Sequence, residues 1–239
     1  MLRIQRFSTV RSPCLMTTLT VGDIAVSAIQ GDVSPTKDFA LVVLREEGIA
    51  SGTKFFVTDN GVQWDATAGC GYDFVTSSGN FIENFYEYTA PSFLPFQTVI
   101  SFLDDNSDFE EKYGNNIYST SGQPDAPNLE RGDSGGDQII VYTAASYDAT
   151  GSSSKTFIFA ANVQEQWWTS TISSAVNNKA ALPCGLTDGT NAVLADEDDD
   201  GMDNAYFTGD GASHSNGNFD AITCASKSAC LALLADESK

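Results

Sequence analysis

The sequence predicts an all-β protein: two pseudo-symmetric β-sandwich-like halves packed as one unit, with a short C-terminal helix. Three observations predict it. Short runs of β-branched and aromatic residues recur along the chain, as half-buried pleated surfaces require. Clusters of Gly, Asn, Asp and Ser separate those runs and supply the turns between strands. The first half is echoed in order by the second, the mark of an internal repeat.

Taken in order, the expected strands are Ile24–Ile29, Phe39–Leu44, Lys54–Thr58, Phe85–Tyr88, Thr98–Leu103, Gln138–Thr143, Thr156–Ala160, Ala192–Leu194 and Ala205–Phe207. The stretch Ile222–Ala235 reads as the helix, because Ile222, Ala225, Ala229, Leu233 and Leu234 form one apolar stripe at helical spacing. In the echo, Phe39–Leu44 precedes Lys54–Trp64, as Asp137–Tyr142 precedes Thr156–Trp167. Cys70 and Gly71 then lead to Asn84–Pro91, as Cys184 and Gly185 lead to Asp203–Asp210. The chain divides accordingly into a basic arm (1–21), a first β half (22–120) and a second β half with the helix (121–239). Two similar halves present two similar faces, and contacts of that kind build lattices or filaments when the rotation does not close.

Acidic residues outnumber basic ones by 32 to 12, giving a net charge of −20. Such a surface repels nucleic acid and anionic membrane and suits a cation, a cationic partner or high solubility. No apolar run approaches the roughly 18 residues of a membrane helix. The first sixteen residues carry Arg3, Arg6 and Arg11 and no acid. They are similar to an organelle-targeting remnant and lack the apolar region of a secretory signal. Such an arm packs either on its own domain or on the acidic body of a neighbouring copy. The five cysteines, Cys14, Cys70, Cys184, Cys224 and Cys230, show no zinc-like spacing. Their odd number permits at most two disulfides within the chain and leaves the redox compartment open.

The most conspicuous motif is a decoy. Gly132, Asp133, Ser134, Gly135 and Gly136 match the nucleophile loop of trypsin-like proteases, whose serine needs a histidine base and an orienting acid. The single histidine, His214, follows the serine and sits in a Ser/Gly/Asn-rich stretch, so the motif reads as a turn into the next strand. A calcium loop is the better candidate. Asp196, Asp198 and Asp200, followed by Gly201, match the D-x-D-x-D-G opening in which alternating carboxylates converge and glycine allows the sharp turn. The closing acid is missing, because Phe207 holds the twelfth position; the plain alternative is a solvated acidic loop. No spacing selects a glycosidase carboxylate pair, and Gly69–Gly71 lacks the lysine and helix of a phosphate loop. Trp64, Trp167 and Trp168 read as lids on the core, with sugar stacking as the alternative. The tract 81–96 is rich in aromatics, and exposure of Phe93 and Phe96 there would make a patch suited to association.

Several of these stretches together resemble a β-rich domain of secreted bacterial proteins. They are Gly22–Ala25, Asp38–Leu44, Phe56–Trp64, Gly136–Tyr142, Ala181–Val193 and Asp203–Gly209, within about residues 22–209. The resemblance implies a stand-alone β module with no catalytic residues to carry over. More narrowly, the chain resembles the shell proteins that encase diatom pyrenoids, which implies self-assembly into sheets in the chloroplast. The acidic stretch 196–200 and the pair Cys224 and Cys230 depart from the bacterial pattern. The expectation is a non-enzymatic protein without cofactor, calcium apart, that assembles with itself into a sheet, tube or shell. Arg3, Arg6, Arg11, Phe93 and Phe96 are its expected interface. The alternative is a secreted, calcium-dependent binding or adhesion module.

Overall fold

The computed structural model describes residues 16–30, 38–77, 80–81, 85–102, 118–119, 138–145, 154–162, 166–172, 179–194, 204–206 and 224–235. Fourteen strands and one short helix lie among them, so the chain is all-β with a short C-terminal helix. All nine expected strands form within one or two residues of their predicted ends.

One sheet, of four strands, runs in the order β14 (Asn204–Tyr206), β1 (Ile24–Gln30), β2 (Asp38–Val43) and β9 (Val99–Phe102). The larger sheet has the order β10 (Tyr118–Ser119), β8 (Phe85–Thr89), β3 (Lys54–Thr58), β11 (Gln138–Ala144), β12 (Lys155–Asn162) and β13 (Ala192–Leu194). Ile24, Leu41 and Ile100 from the first sheet share one core with Phe55, Val57, Tyr88, Val141 and Phe159 from the second. The two sheets therefore close on each other as a sandwich. In β3, β11 and β12 the alternate residues are buried too: Phe56, Ile140, Tyr142, Phe157 and Ala160 lie in a second core on the outer face of the large sheet. Burial on both faces explains why these strands read as continuous apolar runs and not as alternating ones. A bulge sits where Val141 faces Phe159 and Tyr142 faces Phe157. The extra residue, Ile158, lets both Ile158 and Phe159 join the inner core, as an inserted residue does in a bulged strand.

The halves share sheets. β3 and β11 pair antiparallel, with Val57 opposite Val141, while β14 of the second half pairs with β1 of the first. The sequence echo does not extend to strand positions. β2 and β3 lie in different sheets, whereas their counterparts β11 and β12 are neighbours in one. β8 pairs with β3, and its counterpart β14 pairs with β1, away from β12. Similar local chemistry at the strand ends produced the echo; pairing is decided by which apolar faces meet.

The outer core is covered by a layer that continues from the end of β3. Val62–Asp65 (β4) and Cys70–Phe74 (β5) pair as a hairpin. The segment 179–194 runs beside it, with Ala181 N–H donating to Val62 O at 2.8 Å and Gly71 N–H donating to Leu182 O at 2.7 Å. Two further two-residue strands, β6 (Thr76–Ser77) and β7 (Asn80–Phe81), pair with each other. At Gly71 the two parts of the layer meet without room for a side chain: a Cβ there would lie 2.4 Å from Val62 Cγ1 and 3.0 Å from Ala181 Cβ. Gly71→Ala is expected to lower stability by about 2 kcal/mol through this overpacking. Urea unfolding checks it, and an unchanged midpoint refutes the tight seam.

The helix α1 spans Lys227–Leu234, shorter than expected, and starts at Ser226, whose hydroxyl accepts from Ala229 N–H, as an N-cap should. Cys230 and Leu231 face the inner core, and of the predicted stripe Leu234 packs partly buried against it. The side chains that pack are set by where the helix docks, against Gly22 and the end of β1.

Candidate functional site

Three clusters of chemistry stand out among the described residues. The first ties the chain ends together. Gly22 takes a positive φ of 74° and donates its N–H to Ile158 O at 2.7 Å. That turn buries Asp23, which is 2% exposed. Asp23 Oδ1 accepts from Lys227 Nζ at 2.7 Å, and Oδ2 accepts from Arg45 at 3.1 Å and from Thr20 N–H at 2.8 Å. Burial alone raises the pKa of the carboxyl. The Lys227 hydrogen bond, the Thr20 amide, the Lys227 charge and the Arg45 hydrogen bond outweigh it and hold the group below its ordinary value. Its own carbonyl receives Leu44 N–H and Arg45 N–H. Asp23 thereby links the N-terminal turn, the end of β2 and α1: a structural clamp, with every polar atom engaged in holding the fold.

The second cluster lies at one end of the large sheet. Asp59 and Asn60 follow β3, Gln138 opens β11 and Asn162 ends β12; all four are buried at 2% exposure or less. Gln138 and Asn162 sit directly opposite each other, and their amide groups lie on the outer-core side, as the alternation with Ile140 and Ala160 dictates. Nearby, Trp167 closes the outer core and donates its indole N–H to Asp188 Oδ1 at 2.7 Å. Trp168 is half-buried beneath Lys179, whose Nζ stands 3.5 Å from the ring centre. Trp64 is half-buried on β4. The tryptophans are thus a core lid and two flanking residues.

The third is the rim at Phe93. Phe93 is 57% exposed, yet its ring lies against Gly48, where a Cβ would come within 2.5 Å of Phe93 Cζ. Leu94 and Ile49 pair beside it. Of the other described aromatics in the tract, Tyr88 is buried in the core and Phe96 packs half-buried against it. Of the expected interface residues, Phe93 stands exposed and Phe96 is partly covered. Arg3, Arg6 and Arg11 lie outside the described residues, as do Asp196, Asp198 and Asp200, the Gly132–Gly136 motif and His214. Among the described residues no three His, Cys, Asp or Glu side chains gather as a metal site, and no helix is long and apolar enough to cross a membrane.

Two disulfides are present. Cys224–Cys230 closes the start of α1, and Cys70–Cys184 fastens β5 to the 179–194 segment across 114 residues of sequence. The two Cys-Gly pairs that echo each other in sequence are bonded partners. Cysteine spacing alone leaves the connectivity open, and no sequence signal singled out Asp23 and its distant Lys227. Comparisons of the chain with protein-family models, with curated proteins and with solved structures find no match in any of the three.

Proposed function

We propose that the protein is a non-enzymatic structural module that assembles with copies of itself. The observation that supports this reading most is the rigid presentation of Phe93. An exposed aromatic already fixed against Gly48 loses little side-chain freedom on association, and aromatic anchors of this kind carry much of the energy of protein interfaces. The sequence supports the non-enzymatic part, since its one protease-like motif has no histidine placed before it. A shell around the pyrenoid is the finer form of this proposal and rests on the resemblance. The disulfides support an extracellular setting over the chloroplast, because thiols in reducing compartments stay reduced. They also favour the second reading, a secreted binding or adhesion module.

Light scattering across a concentration series, with electron microscopy of the same samples, separates the two. Sheets, tubes or large particles are expected, and Phe93→Ser should weaken association by about tenfold or more while leaving the unfolding midpoint nearly unchanged. A monodisperse monomer at the highest concentration overturns self-assembly and leaves the binding module.

A further inference from the structure

The chain enters its fold at the same rim that presents Phe93. Thr17 N–H donates to Thr53 Oγ1 at 2.9 Å, and Thr17 Oγ1 accepts from Ala50 N–H at 2.9 Å. Ala50 follows Ile49, which pairs with Leu94 through two backbone hydrogen bonds of 2.8 Å. Phe93 precedes Leu94 and lies against Gly48, whose N–H closes a turn onto Arg45 O at 2.8 Å. The middle of that turn is Glu46 and Glu47, both exposed. Lys227 and Arg45 both bond to the buried Asp23, so three carboxylates meet two cations here. Glu47, 3.7 Å from Arg45 Nε, keeps 77% of its side chain in water. The rim is an exposed aromatic beside an excess of negative charge.

A surface of that kind is complementary to a segment that is both basic and apolar. Residues 1–15 are such a segment: they carry Arg3, Arg6 and Arg11 and no acid, interleaved with Leu2, Ile4, Phe7 and Val10. They lead into Met16, which is 67% exposed, and Thr17 roots them at the rim. Fifteen extended residues span up to about 50 Å, enough to reach the same rim on an adjacent copy. With those three arginines set apart, nine of the 12 bases face all 32 acids. Bodies so negative repel each other, and a contact between copies needs positive charge brought to it. We infer that residues 1–15 of one copy dock on the Phe93–Glu47 rim of the next, arginine on the glutamates and an apolar side chain on Phe93. An arm and the rim that receives it are different surfaces, so the contact is heterologous and extends head to tail unless the rotation closes a ring. This inference rests on the self-association reading and names its partner segment.

Sedimentation velocity of the full chain across a concentration series tests it with two variants. One reverses the arm (Arg3→Glu, Arg6→Glu and Arg11→Glu); the other, Phe93→Ser, disables the rim. Each alone should associate about tenfold or more weakly than wild type, with the unfolding midpoint nearly unchanged. Mixed one to one, they regain a single contact, the intact arm of the Phe93→Ser copy on the intact rim of the other. The mixture should therefore give a heterodimer that does not extend. Should either variant fail to fold, Glu47→Arg replaces Phe93→Ser, and Arg3→Ser, Arg6→Ser and Arg11→Ser replace the reversals. If wild type associates and the arm variant associates equally well, the inference is overturned and self-association stands. Stronger association on arm reversal also overturns it and assigns the arm to its own rim. A mixture that stays monomeric shows that arm and rim do not meet, which overturns it too. Wild type that is monomeric at the highest concentration overturns both readings.

Discussion

Changing Cys70 and Cys184 together to serine is expected to lower the unfolding free energy by about 5 kcal/mol. The bond joins residues 114 apart, and chain entropy in the unfolded state scales with the logarithm of the loop it closes. The second bond spans only six residues, for which the same relation gives about 2 kcal/mol. The longer one also has a local role. Gly71 N–H and O both bond to the 179–194 segment, at 2.7 Å to Leu182 O and 2.7 Å from Cys184 N–H. The disulfide therefore adds a covalent tie to this hydrogen-bonded seam, and without it the outer layer is held on Phe56, Tyr142 and Phe157 by non-covalent contacts alone. Denaturant unfolding of the double serine variant, beside wild type with and without reductant, measures the effect. Reduced wild type should approach the variant plus the smaller loss at Cys224–Cys230. If the Cys224→Ser/Cys230→Ser variant loses as much as the Cys70→Ser/Cys184→Ser variant, the loop-length account is wrong.

That bond also shows where sequence reading succeeds and fails. The runs Phe39–Leu44 and Gln138–Thr143 identify themselves as strands, because β-branched and aromatic residues between turn clusters have few other uses. Their sheet assignment is not local. Lys54–Thr58 ends in Asp59, Asn60 and Gly61, which looks like a tight turn to a plug at Trp64. The chain instead runs into β4, because Val62 is needed on the outer core opposite Phe74. The repeat is similarly real as a pattern and silent about topology. Two Cys-Gly pairs that look like copies of one position are the two ends of one bridge.

The polar residues divide in the same way. Asp59 and Asn60 sit in a stretch that composition marks as a turn, yet both are buried, since the outer layer folds over them. Gln138 and Asn162 acquire meaning only once β11 and β12 are paired and put them face to face. Phe93 was legible as an aromatic in a rich tract. Its exposure, and the burial of Tyr88 five residues earlier, follow from Tyr88 lying opposite Phe55 in the sheet interior, while Phe93 falls in the turn beyond it.

Removing the Asp23 carboxylate tests the other long-range tie. Asp23→Ala leaves Lys227 and Arg45 facing a buried space without their counter-charge, and breaking a buried pair this way is unfavourable by about 3–5 kcal/mol. Lys227 and Arg45 keep 27% and 29% of their side-chain surface in water, so part of their charge stays solvated. The loss should therefore fall near the lower end, about 3 kcal/mol. Asn at position 23 separates charge from shape, and its pH dependence fixes the sign. Folding holds the Asp23 carboxyl below its ordinary value of 3.8, so its contribution is fully present above that pH and is lost as pH falls through the lower folded value. The stability gap between wild type and Asp23→Asn should be constant near neutrality and close progressively as the pH drops below 3.8. Denaturant midpoints for both proteins across the acid range measure it. A gap that stays constant into strong acid would mean that Asp23 acts through shape and hydrogen bonding, and that Lys227 holds the helix without its charge. A closing gap accompanied by loss of the α1 signal would show that the clamp works by ionisation, with the carboxylate binding the C-terminal helix to the turn at Gly22.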